Sequence, residues 1–130
     1  MIDTNLVLRT YLLADVPLDT LVSGEIYCPR APENALLPNV TFFTRGGRSS
    51  PYIPDLPNPS AQIDCWADSS VDAREVYRAV YDALQGIQNV SVAGGYVILS
   101  AIEEVHGQDL VDTDIPGRFR CLSFWDIIIR

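Results

Sequence analysis

The chain has 130 residues, a formal charge of −8 and 48% hydrophobic residues. That length suits one domain with a substantial core, and the apolar content is that of a globular protein. The acidic balance argues against nonspecific nucleic-acid binding, which depends on neutralising phosphates with cations. All nine cationic residues are arginines. The absence of lysine excludes Schiff-base chemistry and a P-loop. Arginine suits planar interface contacts, but GC-rich coding would produce the same bias without a function.

Leu6, Tyr11, Leu12, Leu13 and Val16 form a helical stripe beginning near Thr4, the expected N-cap. Pro17 interrupts it, and Leu18, Leu21 and Val22 give a second short helical turn ending at Gly24. No signal peptide is expected from Met1-Ile2-Asp3, and no apolar run approaches the ~20 residues of a membrane span. Ile26-Tyr27-Cys28 reads as a short strand and 29–38 as an irregular connection. Val40 to Arg45, β-branched and aromatic, reads as another strand.

Residues 46–59, Gly-Gly-Arg-Ser-Ser-Pro-Tyr-Ile-Pro-Asp-Leu-Pro-Asn-Pro, are expected to form a long Pro/Gly-rich loop. Loops of this length in compact domains are commonly functional or disordered. Tyr52, Ile53 and Leu56 give this one apolar content suited either to packing back or to a partner.

The segment from Gln62 to Arg74 is the strongest local signal. Ile63, Cys65 and Ala67 alternate with Gln62, Asp64, Trp66 and Asp68, as in a strand with two unlike faces. Ser69-Ser70-Val71-Asp72 then supplies a Ser N-cap and an acid for the first helical turn. Ala73, Val76, Tyr77, Val80 and Leu84 make one apolar helical face, ended by Gly86. Tyr96 to Glu104 reads as a strand, Val105 to Pro116 as an acidic turn region, and Arg118 to Ile129 as a last long strand. The set predicts one α+β domain over 1–130. Its expected core is an antiparallel four- to five-stranded sheet packed by an N-terminal helix and the central amphipathic helix.

Reactive groups are sparse. Cys28, Cys65 and Cys121 are odd in number and lie in apolar or strand-like surroundings, which fits buried free thiols in a reducing compartment. The N-x-S/T matches at Asn39 and Asn89 are then chance occurrences. His106 is the one histidine, placed in a polar turn with no ligand or triad spacing around it. Asp109, Asp112 and Asp114 alternate, but no glycine or bidentate glutamate falls where a calcium loop needs one. Gly46-Gly47 and Gly94-Gly95 lack a nucleotide-binding context. No catalytic group, metal or cofactor is expected.

Trp66 lies on the face opposite Ile63 and Cys65. In the last strand neither alternating set is cleanly polar, although antiparallel sheets commonly keep one face wet. Two readings fit: the N-terminal helices cover the second face, or another chain does.

With these residues in hand, the chain resembles the tail-completion (tail-terminator) family of long-tailed bacteriophages and gene transfer agents. The resemblance runs through "LRTYLLADVPLDTLVSGEIY", "CPRAPENALLPNVTFF", "QIDCWADSSVDAREVYRAVYDAL" and "GRFRCLSFWDIIIR". Its most specific part is the Asp-x-Trp-Ala strand leading into the amphipathic helix. The resemblance implies a structural virion protein, not an enzyme. It implies a homohexameric ring that caps the tail tube, stops its polymerisation and joins tail to head. The implied partners are further copies of the chain, the major tail tube protein and a head–tail connector. DNA would pass through the lumen without specific binding, and no membrane is involved. Assembly in the host cytoplasm and residence in the virion tail or neck follow. Arg45, Arg48, Tyr52, Ile53 and Leu56 are the expected partner contacts, with Trp66 and the end of the chain (Trp125, Ile129, Arg130) supporting subunit packing. The competing readings are a different neck protein or a cellular α+β binding module.

Overall fold

The computed structural model describes residues 2–49, 51–111, 115 and 117–130. Among them, chain order runs α1 (Thr4–Leu13), α2 (Val16–Val22), β1 (Ile26–Tyr27), β2 (Asn39–Ser49), β3 (Pro57–Ala67), α3 (Ser70–Leu84), β4 (Gln88–Val92), β5 (Tyr96–Val111) and β6 (Phe119–Ile129). The strands form one sheet in the order β1-β2-β3-β6-β5-β4. Every pair is antiparallel except β1 with β2, which is parallel. The α+β class therefore holds, but the four- to five-stranded antiparallel sheet is corrected to six described strands with one parallel pair. The added strand, β4, carries too much polar sequence (Gln88, Asn89, Ser91) to announce itself.

Local capping sets the helices. Asp3, rather than Thr4, caps α1 by accepting from the Leu6 amide at 3.2 Å. Asp15 does the same for α2 at the Leu18 amide, 3.1 Å. Pro17 thus opens α2 at a position where its missing N–H costs nothing. In α3 the Ser69 hydroxyl accepts from the Asp72 amide at 3.1 Å. Its predicted apolar face (Ala73, Val76, Tyr77, Val80, Leu84) is entirely buried.

All three helices lie on one side of the sheet. Val7, Leu8 and Leu12 of α1, Leu18 and Val22 of α2, and the α3 face share one core with Val40, Phe42, Ile63, Cys65, Cys121, Ile127 and Ile129. Ties between layers reinforce this: Arg9 Nε donates to the Ile26 carbonyl at 3.0 Å, and Tyr11 OH donates to the Ala83 carbonyl. The N-terminal helices therefore do not cover the second face.

Two expectations about loops are corrected. Residues 46–59 are not one long loop, because β2 runs to Ser49 and β3 begins at Pro57, with Gly47 opposite Pro59 and Ser49 opposite Pro57. β3 pairs with β6 only from Ser60 onward, so this hairpin extends past the sheet as an arm. A proline in a strand forfeits a ladder donor, and on the arm β3 has no second neighbour to need it. At Gly47 a Cβ would stand 2.2 Å from the Asn58 carbonyl oxygen, at φ +126°. Glycine is what allows β2 to shift register there and still hug β3.

The second correction concerns Val105 to Pro116. β5 continues to Val111, so His106 lies in a strand and not in a turn. Register shifts between Ile98 and Ser100, Glu103 and Val105, and Val105 and Gln108 scatter its alternation and add twist. Asp112 and Asp114, part of the acidic alternation noted above, lie outside the described residues. Asp109 is described, and its carboxylate stands 3.6 Å from Arg74.

Candidate assembly interface

The helix-free face of the sheet is built from three rows of directly opposed residues. Phe43, Gln62, Phe124 and Val105 form one row, and Thr41, Asp64, Leu122 and Gln108 the next. Asn39, Trp66, Arg120 and Leu110 form the third. Cross-strand neighbours on one face stack side chain against side chain, so Phe43, Leu122, Phe124, Val105 and Leu110 make an apolar band across four strands. The connection after β1 reaches only its border, where Arg30 and Ala31 line a small cavity with Asn39, Thr41 and Trp66, and Phe43, Leu122 and Phe124 stay half-exposed.

Charge is organised around this band. The Arg45 guanidinium sits 4.0 Å over the Phe124 ring and 3.8 Å from Glu104. The Trp66 ring is flanked by the Arg118 and Arg120 guanidinia, each 5.3 Å from its centroid, and its Nε1 donates to Thr41 Oγ1 at 3.0 Å. Such stacking contributes more as water is removed. Trp66 is where the alternation of β3 placed it, already half-satisfied by its own chain.

Asp64 is the unusual member. It is only 5% exposed, and Thr41 (7%) and Asn39 (1%) on the same face are buried with it. Gln62 Nε2 donates to Oδ2 at 3.4 Å and Arg120 lies 3.8 Å from Oδ1, which accepts no hydrogen bond among the described residues. Burial pushes its carboxyl above the ordinary value, with Arg120 and Gln62 pulling the other way. A carboxyl raised in the folded state weakens the fold once it ionises, so stability is lost as pH rises through that window. Asp64→Asn is therefore expected to raise the Tm of the isolated chain at pH 7. The gain should shrink as pH falls toward 3.8, where an unperturbed Asp takes up its proton. Paired thermal melts across pH 3–7 measure it.

The expected contact residues divide. Tyr52 and Ile53 at the arm tip are 91% and 54% exposed, Arg48 is exposed and Leu56 half-buried. Arg45 lies at the arm's base, beside the band. Trp125 and Ile129 must be corrected: they are 0% and 1% exposed. They share the parity of Cys121 and Ile127 and point into the core. Arg130 is exposed, its backbone paired with Val97 at 2.8 Å in both directions. Sequence reasoning missed Phe43, Leu122, Val105 and Leu110 as surface residues. The mixed parity of the last strand was the available signal.

On the helical side, α3 repairs the irregular stretch of β5. Tyr77 OH donates to Glu103, accepts from the Gly107 amide at 3.0 Å and lies 2.9 Å from His106 Nδ1. Gln85 Oε1 accepts from the Glu103 amide at 2.8 Å, and Arg74 donates to the Gly107 carbonyl at 2.9 Å. Where the ladder is interrupted, helix side chains satisfy the backbone groups it leaves over. Burial and the Glu103 carboxylate raise the Tyr77 hydroxyl well above its usual range, so it stays a donor. Tyr77→Phe is expected to cost about 1–3 kcal/mol. Denaturant melts read the loss, and faster hydrogen exchange at the Gly107 amide locates it.

This cluster contains no nucleophile poised on a base, and the described residues hold no group of three or more metal-ligating side chains. A groove of about 620 Å³ between α2 and α3 is lined by Asp15, Leu21, Arg74, Arg78 and Asp82 among others, wet-face charges of packed helices. Among the described residues no helix is long and apolar enough to cross a membrane.

A one-sided helical layer, an open apolar sheet face and a projecting hairpin define a structural module whose working parts are surfaces. The family model described as Tail completion protein gp17 matches residues 7–114, and the chain belongs to that family. It is a structural component of a phage-type virion tail and not an enzyme. Among solved structures it is similar to a chain of the virion of a native gene transfer agent particle. That match has 18% identity and a TM-score of 0.66, and covers 98% of this chain and 95% of the other. No curated protein sequence matches significantly.

Proposed function

We propose that copies of this chain join side by side into a closed, hexameric ring that caps the tail tube, ends its polymerisation and connects tail to head. The observation that carries this reading is the uncovered band of Phe43, Leu122, Phe124, Val105 and Leu110. An apolar sheet face left open in the single chain calls for a second burial event. The arm is suited to reach a neighbour, so Arg48, Tyr52, Ile53 and Leu56 are the proposed contacts beyond the sheet. Trp66, Arg45 and Arg130 are the remaining proposed contacts. A contact between unlike patches closes into a ring when its rotation allows.

The proposed partners are other copies of the chain, the major tail tube protein and a head–tail connector, met in the host cytoplasm before the particle is complete. The charge of −8 fits a lumen that lets DNA pass without adhering; acids clustered on the outer wall of the ring would contradict that. Electron micrographs of particles made without this protein test the main reading. Abnormally long tubes without heads are expected. Tubes of normal length still joined to heads would refute it, as would a protein that never binds tube protein in native mass spectrometry.

A further inference from the structure

Cys65 of β3 and Cys121 of β6 stand directly opposite one another. Both are free thiols, both are fully buried, and both point to the helical side of the sheet. Directly opposed residues of antiparallel strands hold their Cα atoms about 4.5–5.5 Å apart. A disulfide spans about 4.4–6.8 Å between Cα atoms, so this pair needs no strand movement to be bridged. Cβ atoms across such a pair lie about 4.5–5.5 Å apart, and closing to the ~3.8 Å of a disulfide takes an ångström or so of side-chain adjustment.

The two sulfurs are not equivalent. Arg74 donates to Cys121 Sγ at 3.5 Å, on the side where β5 crosses the sulfur at Gly107. A Cβ on Gly107 would come within 2.8 Å of it and of the Tyr77 ring, so glycine backbone, that ring and the Arg74 guanidinium enclose it there. Burial raises both thiols; at Cys121 Arg74 pulls the other way, yet with Asp109 adding to the effect of burial the thiol stays above its usual range. Cys65 has no cation beside it. Cys28, on the connection after β1, pairs with neither.

We propose that Cys65 and Cys121 form an intramolecular redox pair, closed by peroxide into a disulfide that staples β3 to β6 in the middle of the sheet. Cys121, as thiolate beside Arg74, attacks one peroxide oxygen. The O–O bond breaks, hydroxide leaves and takes up the Cys121 proton, and a sulfenic acid remains. The Cys65 sulfur then attacks Cys121 Sγ. An S–S bond forms, the S–O bond breaks, and water departs with the Cys65 proton. Two thiols lose two electrons, and one hydrogen peroxide becomes two waters. A tail protein built among reduced thiols and released in a particle passes from reducing to oxidising surroundings, the change to which such a pair responds.

The test treats the folded full-length chain with hydrogen peroxide, blocks residual thiols after unfolding, and maps peptides without reductant. The expected product links the Cys65 and Cys121 peptides, is lighter by two hydrogens and is reversed by dithiothreitol. It should raise Tm by roughly 5–10 °C. Cys65→Ser and Cys121→Ser should each abolish both signals, and Arg74→Met should slow closure several-fold. Alkylation of both thiols after peroxide overturns the proposal, as does a link that involves Cys28 or appears only in denaturant. Closure at an unchanged rate in a folded Arg74→Met chain overturns the assignment of Cys121 as the attacking sulfur.

Discussion

Trp125→Ala is expected to cost about 3–5 kcal/mol, a large share of the roughly 5–15 kcal/mol that holds a domain of this kind together. The side chain is 0% exposed, its ring lies 6.1 Å from that of Tyr81, and Nε1 donates to Ser123 Oγ at 2.9 Å. Truncation leaves a cavity at the centre of β6 that neighbouring helices cannot collapse without moving. Ser123, whose hydroxyl also reaches the Ile63 carbonyl at 3.4 Å, loses its buried donor as well. Urea melts should show a lower midpoint at an unchanged slope. A chain of unaltered stability that failed to assemble would instead put Trp125 against a partner.

The paired substitution Leu122→Ser with Phe124→Ser should give the converse. These side chains stand on the open face of the same strand, half-exposed, opposite Asp64 and Gln62. Their loss from the isolated chain should cost only about 1–2 kcal/mol, leaving a folded monomer with native circular dichroism. In a ring every subunit contact would carry the defect, and central apolar residues of an interface commonly contribute 2 kcal/mol or more each. We expect no ring in native mass spectrometry and overlong tails in particles made with the variant. Val71→Ser, on an exposed site of α3 (77% exposed), should change neither. Normal tails from the double variant would remove the band from the interface.

The parts of this architecture that were legible in the sequence are those governed by one periodicity at a time. From Gln62 to Leu84 the period switches from two to 3.6 at Ser69, and strand, cap, helix and buried face all follow. The apolar residues on both sides of β6 left two readings, helical cover or another chain, and α1 and α2 prove to pack on the same side as α3. Trp125 and Ile129, expected to support subunit packing, share the parity of Cys121, and that parity puts them inside. The arm was hidden because Gly46, Gly47, Pro57 and Pro59 are breakers in a two-sided strand but tolerable at a register shift and on a ribbon with one neighbour. The length of β5 was hidden because its alternation slips at each register shift, and only the α3 side chains that fill those gaps keep it in the sheet.

The two strands at the borders of the sheet are also its shortest, β1 with two residues and β4 with five. Long bare borders invite strand after strand to add on, which is how sheets run into open-ended fibres. Here β1 covers β2 only at Val40 and Thr41, and β4 follows β5 only as far as Ser100, so the bare borders belong to the longer strands β2 and β5. On β5 the Gln85, Tyr77 and Arg74 side chains already take up backbone groups of Glu103 and Gly107, so of the two borders it is β2 that offers its backbone to a neighbouring strand.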